Sequence, residues 1–146
     1  MTTEEKDIYA IGEIPPLGYM PKKMHAWVIR RDRHGNPMQS FKEEEFDIPE
    51  VGPNDVLIFV MAAGVNYNGV WAGLGKPVST LDMTKKDYHI AGSDCSGIVW
   101  KVGSDVKKWK VGDEVIIHGM QWDHEDAEVN GCLLYTSPSP RDVCSS

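Results

Sequence analysis

Polar and apolar positions alternate in short runs bounded by glycine and proline, a rhythm of strands and turns rather than of long helices. Residues 1–23, ending in IGEIPPLGYMPKK, carry prolines and glycines without apolar periodicity and predict an extended arm. From Met24 the pattern changes. HAWVIRRD predicts a strand, HGNP at 34–37 a turn, and MQSFKEEEFDIP the second strand of a hairpin. PEVGPND predicts a loop. DVLIFVMAAGV is apolar at nearly every position, which predicts a central strand covered on both faces. NGVWAGLG predicts a short helix with Asn68 as its N-cap, and KPVSTLDMTKKDYH an irregular segment. SGIVWKVG and DEVIIHG predict two further strands, with Gly97 in the first marking a bulge or a close backbone approach. Residues 105–113 carry the turn between them. The expected fold is mostly β with short helices, arranged as a small barrel.

Length and charge narrow the classes. At 146 residues the chain is about one domain and can bury a sizeable core. A net charge of −7 argues against nucleic acid and anionic membrane surfaces as general partners. The acidic start, MTTEEKDIYAIG, has no apolar core and is not a signal peptide, and the apolar run at 56–65 is too short to cross a bilayer. Three widely spaced cysteines make no disulfide framework, so a reducing, cytoplasmic location is expected.

AGSD, SGIVWKVGSDV and WKVGDEV, between Ala91 and Val115, resemble the signature of the catalytic domain of medium-chain dehydrogenases and reductases. In that superfamily a GroES-like β domain precedes a nucleotide-binding Rossmann domain. GVNYN at 64–68 falls where the superfamily places its first active-site loop. The zinc-dependent members need a cysteine and a histidine there. This chain has Asn66 and Ser93 instead, an amide and a hydroxyl that are poor zinc ligands. No four-cysteine lobe for a structural zinc is present either, so no metal is expected. IGEIPPLGYMPKKMHAWVIRRDRHG, MAAGVNYNGVWAGLGKPVS, YHIAGSDCSGIVWKVG and WKVGDEVIIH together are similar to the zinc-free crotonyl-CoA carboxylase/reductase family across residues 8–131.

That resemblance implies a GroES-like partial barrel at 24–131, truncated and lacking its Rossmann domain. It also implies an NADPH-dependent enzyme that reduces crotonyl-CoA and traps the enolate with CO2 to give ethylmalonyl-CoA, a homo-oligomer when complete. It assigns Asn68 to CO2 binding and places Asn66 and Tyr67 beside the nicotinamide and acyl thioester; the apolar neighbours Val65, Val70 and Trp71 suit the exclusion of water, with Val65 and Trp71 as candidate substrate contacts. The chemistry is consistent. CO2 carries no charge, so an amide N–H can hold one of its oxygens and bind more strongly as carboxylate charge develops. If the strand stays extended through 68, Asn66 and Asn68 share a face. The same asparagines also suit local roles, Asn68 capping a helix and Asn66 closing a turn. Two rival functions stand beside this one: a zinc-free enoyl-thioester or quinone reductase, and a GroES-like binding module without chemistry.

Other residues carry weaker signals. Cys95 reads as a small packed residue, Asp94 as a structural hydrogen-bond acceptor, and His89 and His118 as structural histidines at strand edges. Arg30, Arg31, Arg33, Lys85 and Lys86 are candidate contacts for CoA phosphates. QWDHEDAEVNG lacks calcium-loop spacing and reads as a solvated acidic loop. CLLYTSPSPRD, from Cys132, departs from everything before it and is similar to an in-frame translation of a sequencing adapter. Residues 132–146, with Cys132 and Cys144, are therefore expected to be non-native. No GxGxxG phosphate loop or strand–helix alternation follows, and the chain alone is expected neither to bind NADPH tightly nor to catalyse the reaction.

Overall fold

The computed structural model describes residues 4–77 and 79–117; His118, the acidic stretch and the C-terminal tail lie outside the described residues. In chain order the elements are β1 (Lys23–Arg30), a 3-10 turn (Arg31–Arg33), α1 (Pro37–Ser40), β2 (Phe41–Asp47), β3 (Val56–Ala62), α2 (Tyr67–Leu74), α3 (Thr80–Thr84), β4 (Tyr88–Ile90), β5 (Cys95–Val102) and β6 (Glu114–Ile117). They fall into two compact units, Met1–Glu50 with Val65–Ala91 and Val51–Gly64 with Gly92–Ser146.

In the first unit β1 is the middle strand of an antiparallel sheet in the order β2-β1-β4, with Trp27 opposite Glu43 and Ile29 opposite His89. Val28, Ile29 and Leu81 are fully buried at its centre. The hairpin predicted for β1 and β2 forms, but its connection is longer than a turn. Asn36 accepts a hydrogen bond from the Met38 N–H at 3.1 Å and caps α1, whose first residue is Pro37. The second strand therefore begins at Phe41, not Met38. The stretch expected to be irregular likewise holds α3, capped by the Ser79 hydroxyl, followed by β4.

The arginines expected to meet CoA phosphates are engaged inside this unit. Arg30 donates to Glu44 at 2.6 and 2.8 Å, and Arg33 donates to Glu44 at 2.7 Å and to the Val28 carbonyl at 3.0 Å. Arg31 pairs with Asp82 at 2.8 Å. The paired guanidiniums supply structure, and their fork geometry is already matched to carboxylates. Lys86 lies over the Tyr88 ring at 6.0 Å, and Lys85 sits in the left-handed region that ends α3.

The second unit is the antiparallel sheet β3-β5-β6 over Val56, Val99 and Val115, with Ile58, Val102, Val106 and Trp109 packed against them. Here β5, not the more apolar β3, is the middle strand. Among the described residues β3 is an edge, and Val60 and Met61 are half exposed. Among the described residues hydrophobicity marks the strand but not its place in the sheet, since apolar side chains report cover on the strand's faces and not its hydrogen-bonded neighbours. Gly97 lies opposite Val60 beside an irregularity in the register, where an added Cβ would collide with the Phe59 carbonyl oxygen. The close approach expected at this glycine is present. Gly112, with φ 95°, makes the turn into β6 while the Lys110 N–H donates to Asp113.

Two predictions follow from these contacts. Gly97→Ala forces β3 from β5 and lowers the stability of the chain by about 1–3 kcal/mol; urea unfolding that finds the variant as stable as the parent contradicts the close approach. The second concerns pH. The Arg30 and then the Arg33 hydrogen bonds hold the Glu44 carboxyl at about 2, below its ordinary 4.5, and burial holds the His89 imidazole at about 4, below 6.5. Both groups bind fewer protons folded than unfolded, so their stabilisation is complete at neutral pH. It is lost from about pH 6.5 towards 4 for His89 and from about pH 4.5 towards 2 for Glu44. Melting curves across that range should flatten in the upper window for His89→Gln and in the lower for Glu44→Gln; unchanged curves contradict the assignment.

Candidate functional site

The chain leaves β3 at Ala62. Two residues later the Gly64 N–H donates to Asp94 Oδ1 at 3.0 Å, and a Cβ on Gly64 would lie 2.8 Å from that oxygen. Asp94 thus has the structural role expected of it, fixing the first residue of the GVNYN loop. Cys95 begins β5, opposite Ile117 and half-buried.

The strand does not stay extended through 68, and the two asparagines do not share a strand face. Asn66 is the N-cap of α2: its backbone is extended, and its side-chain oxygen accepts from the Asn68 N–H at 3.0 Å. Asn68 is the second residue of the helix, not its cap. An asparagine oxygen satisfies one of the orphan donors of a helix start, and the residue that does so must stand outside the helix. With the cap supplied by Asn66, the Asn68 side chain is half-buried and makes no hydrogen bond among the described residues.

Helical periodicity sorts the rest of α2 into three faces. Gly69 and Gly73 face Phe41: a Cβ on Gly69 would lie 4.0 Å from its ring, and one on Gly73 would lie 3.1 Å from both that ring and the Pro37 Cα. Tyr67 and Trp71 occupy the opposite face, ring edge to ring face with centroids 5.4 Å apart, and are 65% and 44% exposed. Asn68 and Ala72 lie on the flank between. Val65 is fully exposed, while Val70 is half-buried. Tyr67, Asn68 and Trp71 therefore stand on one helix, with Asn66 at its start.

The helix end is held as firmly as its start. Gly75, with φ 67°, ends α2 in the left-handed region and donates to the Trp71 carbonyl at 2.8 Å. Its missing Cβ makes room for the His34 ring, which any side chain there would strike. His34 Nε2 lies 3.1 Å from the Ala72 carbonyl, which can only accept, so that nitrogen carries a proton. The Gly73 carbonyl takes the Gly35 N–H at 2.9 Å and lies 3.0 Å from the Ser40 hydroxyl, which is buried among three carbonyl oxygens. None of His34, Ser40 or Phe41 stands out in the sequence. The Asn-Pro pair at 36–37, a helix-start signature, is the signal that this segment is more than a turn.

Among the described residues no group of three or more His, Cys, Asp and Glu could hold a metal ion. No helix among them is long and apolar enough to cross a membrane.

Comparison with known proteins places this geometry. The chain is 59% identical over 137 residues to the crotonyl-CoA carboxylase/reductase of Cereibacter sphaeroides, covering 94% of this chain and 32% of that one. It thus spans about a third of the length of the curated relative. A solved crotonyl-CoA carboxylase/reductase superposes with a TM-score of 0.79 at 58% identity, over 94% of this chain and 33% of the other. The crotonyl-CoA carboxylase/reductase AntE in complex with NADP superposes at 0.75 with 46% identity, over 91% and 34%. Residues 52–138 match the alcohol dehydrogenase GroES-like domain, and with more than half of its length so matched the chain belongs to that family.

Proposed function

We propose that the protein carrying this segment is an NADPH-dependent reductive carboxylase that converts crotonyl-CoA and CO2 to ethylmalonyl-CoA. The observation that carries this reading is the Asn68 amide, half-buried at the start of α2, relieved of capping by Asn66 and without a hydrogen bond among the described residues. The identity to the Cereibacter sphaeroides protein and the NADP complex of a second relative support it. In the same reading the protein is cytoplasmic and homo-oligomeric, residues 24–131 belong to its catalytic domain, and residues 132–146 are non-native. Reading the nucleotides across Gly131 tests that last boundary.

NADPH supplies a hydride to the β-carbon of the enoyl thioester. The C=C electron pair is then left at the α-carbon as an enolate, which forms a new C–C bond to CO2 and leaves the negative charge on a carboxylate oxygen. The Asn68 side-chain amide donates a hydrogen bond to that oxygen through Nδ2 and is worth more as its charge grows. Tyr67 fits a planar nicotinamide, because the residue is 65% exposed beside the edge-on contact to Trp71. Asn66 fits less well, since its side-chain oxygen is engaged by the Asn68 N–H. Trp71 and Val65 offer exposed apolar surface to the acyl chain. An enolate that meets water is protonated instead, so the site must close over these side chains during turnover.

The test uses a chimera in which residues 8–117 of this chain replace the matching segment of the Cereibacter sphaeroides relative. With bicarbonate present, the parent chimera should give ethylmalonyl-CoA. Asn68→Ala should shift the ratio of carboxylated to merely reduced product by roughly tenfold, the loss of one hydrogen bond to a charged oxygen. An unchanged ratio removes Asn68 from CO2 binding, and a parent chimera yielding only butyryl-CoA with or without bicarbonate favours a plain enoyl-thioester reductase.

A further inference from the structure

We propose that His34 is a positioning residue for the Asn68 amide, acting through the last turn of α2. The inference rests on the assignment of Asn68 to CO2. His34 touches neither Asn68 nor any atom proposed to react. It meets the helix at the Ala72 carbonyl, one turn beyond Asn68 and on the same flank. A helix of eight residues has few internal hydrogen bonds, so its direction is set by what holds its ends.

At the start the Asn68 N–H donates to the Asn66 side chain. At the end there are several hydrogen bonds, and segment 34–40 supplies those from outside the helix: His34 to Ala72, the Gly35 N–H and Ser40 hydroxyl to Gly73. That segment is itself pinned to the sheet, because Arg33 donates to the Ser40 and Val28 carbonyls and to Glu44. The glycines of α2 are placed for this contact. Gly69 and Gly73 admit Phe41 and Pro37, and Gly75 admits the His34 ring.

His34 is the member of this clamp that reaches the helix by a side chain alone and is not fully buried, so it can be changed without emptying the core. Removing it frees one terminal carbonyl and lets α2 pivot about Phe41. Movement of that kind acts on a weakly held ligand before it acts on a tightly held one. CO2, a small neutral molecule that offers few polar contacts, is the ligand that should feel it.

The experiment measures the apparent KM for CO2 and kcat for NADPH oxidation in the chimera carrying His34→Ala or His34→Gln. His34→Ala should raise the KM for CO2 about fivefold, the effect of one ordinary hydrogen bond, with a much smaller change in kcat. His34→Gln keeps an N–H donor within reach of the Ala72 carbonyl and should return the KM to within about twofold of the parent. A merely structural role would lower the active fraction, and hence kcat, leaving the KM for CO2 unchanged; that result overturns the proposal, as does failure of the glutamine to restore the KM. Should His34→Ala fail to fold, His34→Asn, whose shorter amide withdraws the donor, is read in its place against the same two outcomes. Asn68→Ala in the same background separates the two claims. If it leaves the KM for CO2 unchanged the carboxylase reading of Asn68 fails, whereas a response from Asn68→Ala without one from His34→Ala removes only the positioning role.

Discussion

The hydrogen bond from the Asn68 N–H to the Asn66 side chain is the contact on which the candidate site depends. It decides where the extended chain ends and where α2 begins. Had Asn68 been the cap, its side-chain oxygen would have been turned to the backbone and its amide committed to a local role. Because Asn66 stands outside the helix and takes that role, Asn68 becomes the second residue of the helix, on the flank between the glycine face and the aromatic face. One capping bond of about 1 kcal/mol therefore sets the two asparagines apart, with Asn66 engaged at the helix start and Asn68 inside the helix.

Close backbone approach is the second recurring device. Gly97 admits the Phe59 carbonyl in one unit, and Gly73 and Gly75 admit Pro37, Phe41 and His34 in the other. In each case the absent side chain lets a neighbouring element come near enough to hydrogen-bond or pack on main-chain atoms. A methyl group at these points separates elements that the fold needs in contact. The glycine content of the chain thus serves contact between elements as much as turns.

Much of this was legible in the residues. The strands at 23–30, 95–102 and 114–117, the helix after GVNYN, the close approach at Gly97 and the acceptor role of Asp94 all follow from local pattern and turn chemistry. What escaped depended on pairing or on a choice between near-equivalent residues. Asn66 and Asn68 are both good caps by composition, and only the backbone path distinguishes them. The arginines at 30, 31 and 33 look free until Glu44 and Asp82 arrive from other elements. β3 looks central in the sequence, yet it is an edge among the described residues, because hydrophobicity reports cover on a strand's faces and not sheet order. The His34 contact was invisible, since nothing in a sequence ties a loop histidine to a carbonyl 38 residues away.

The capping bond can be tested most directly by amide hydrogen exchange at the Asn68 backbone N–H in the 146-residue chain, comparing Asn66→Ala with Asn66→Asp. A bond of about 1 kcal/mol predicts exchange roughly fivefold faster in the alanine variant and close to the parent rate in the aspartate variant, which keeps the acceptor oxygen. Equal rates in all three proteins would contradict the claim that Asn66 starts the helix and leaves Asn68 to the ligand.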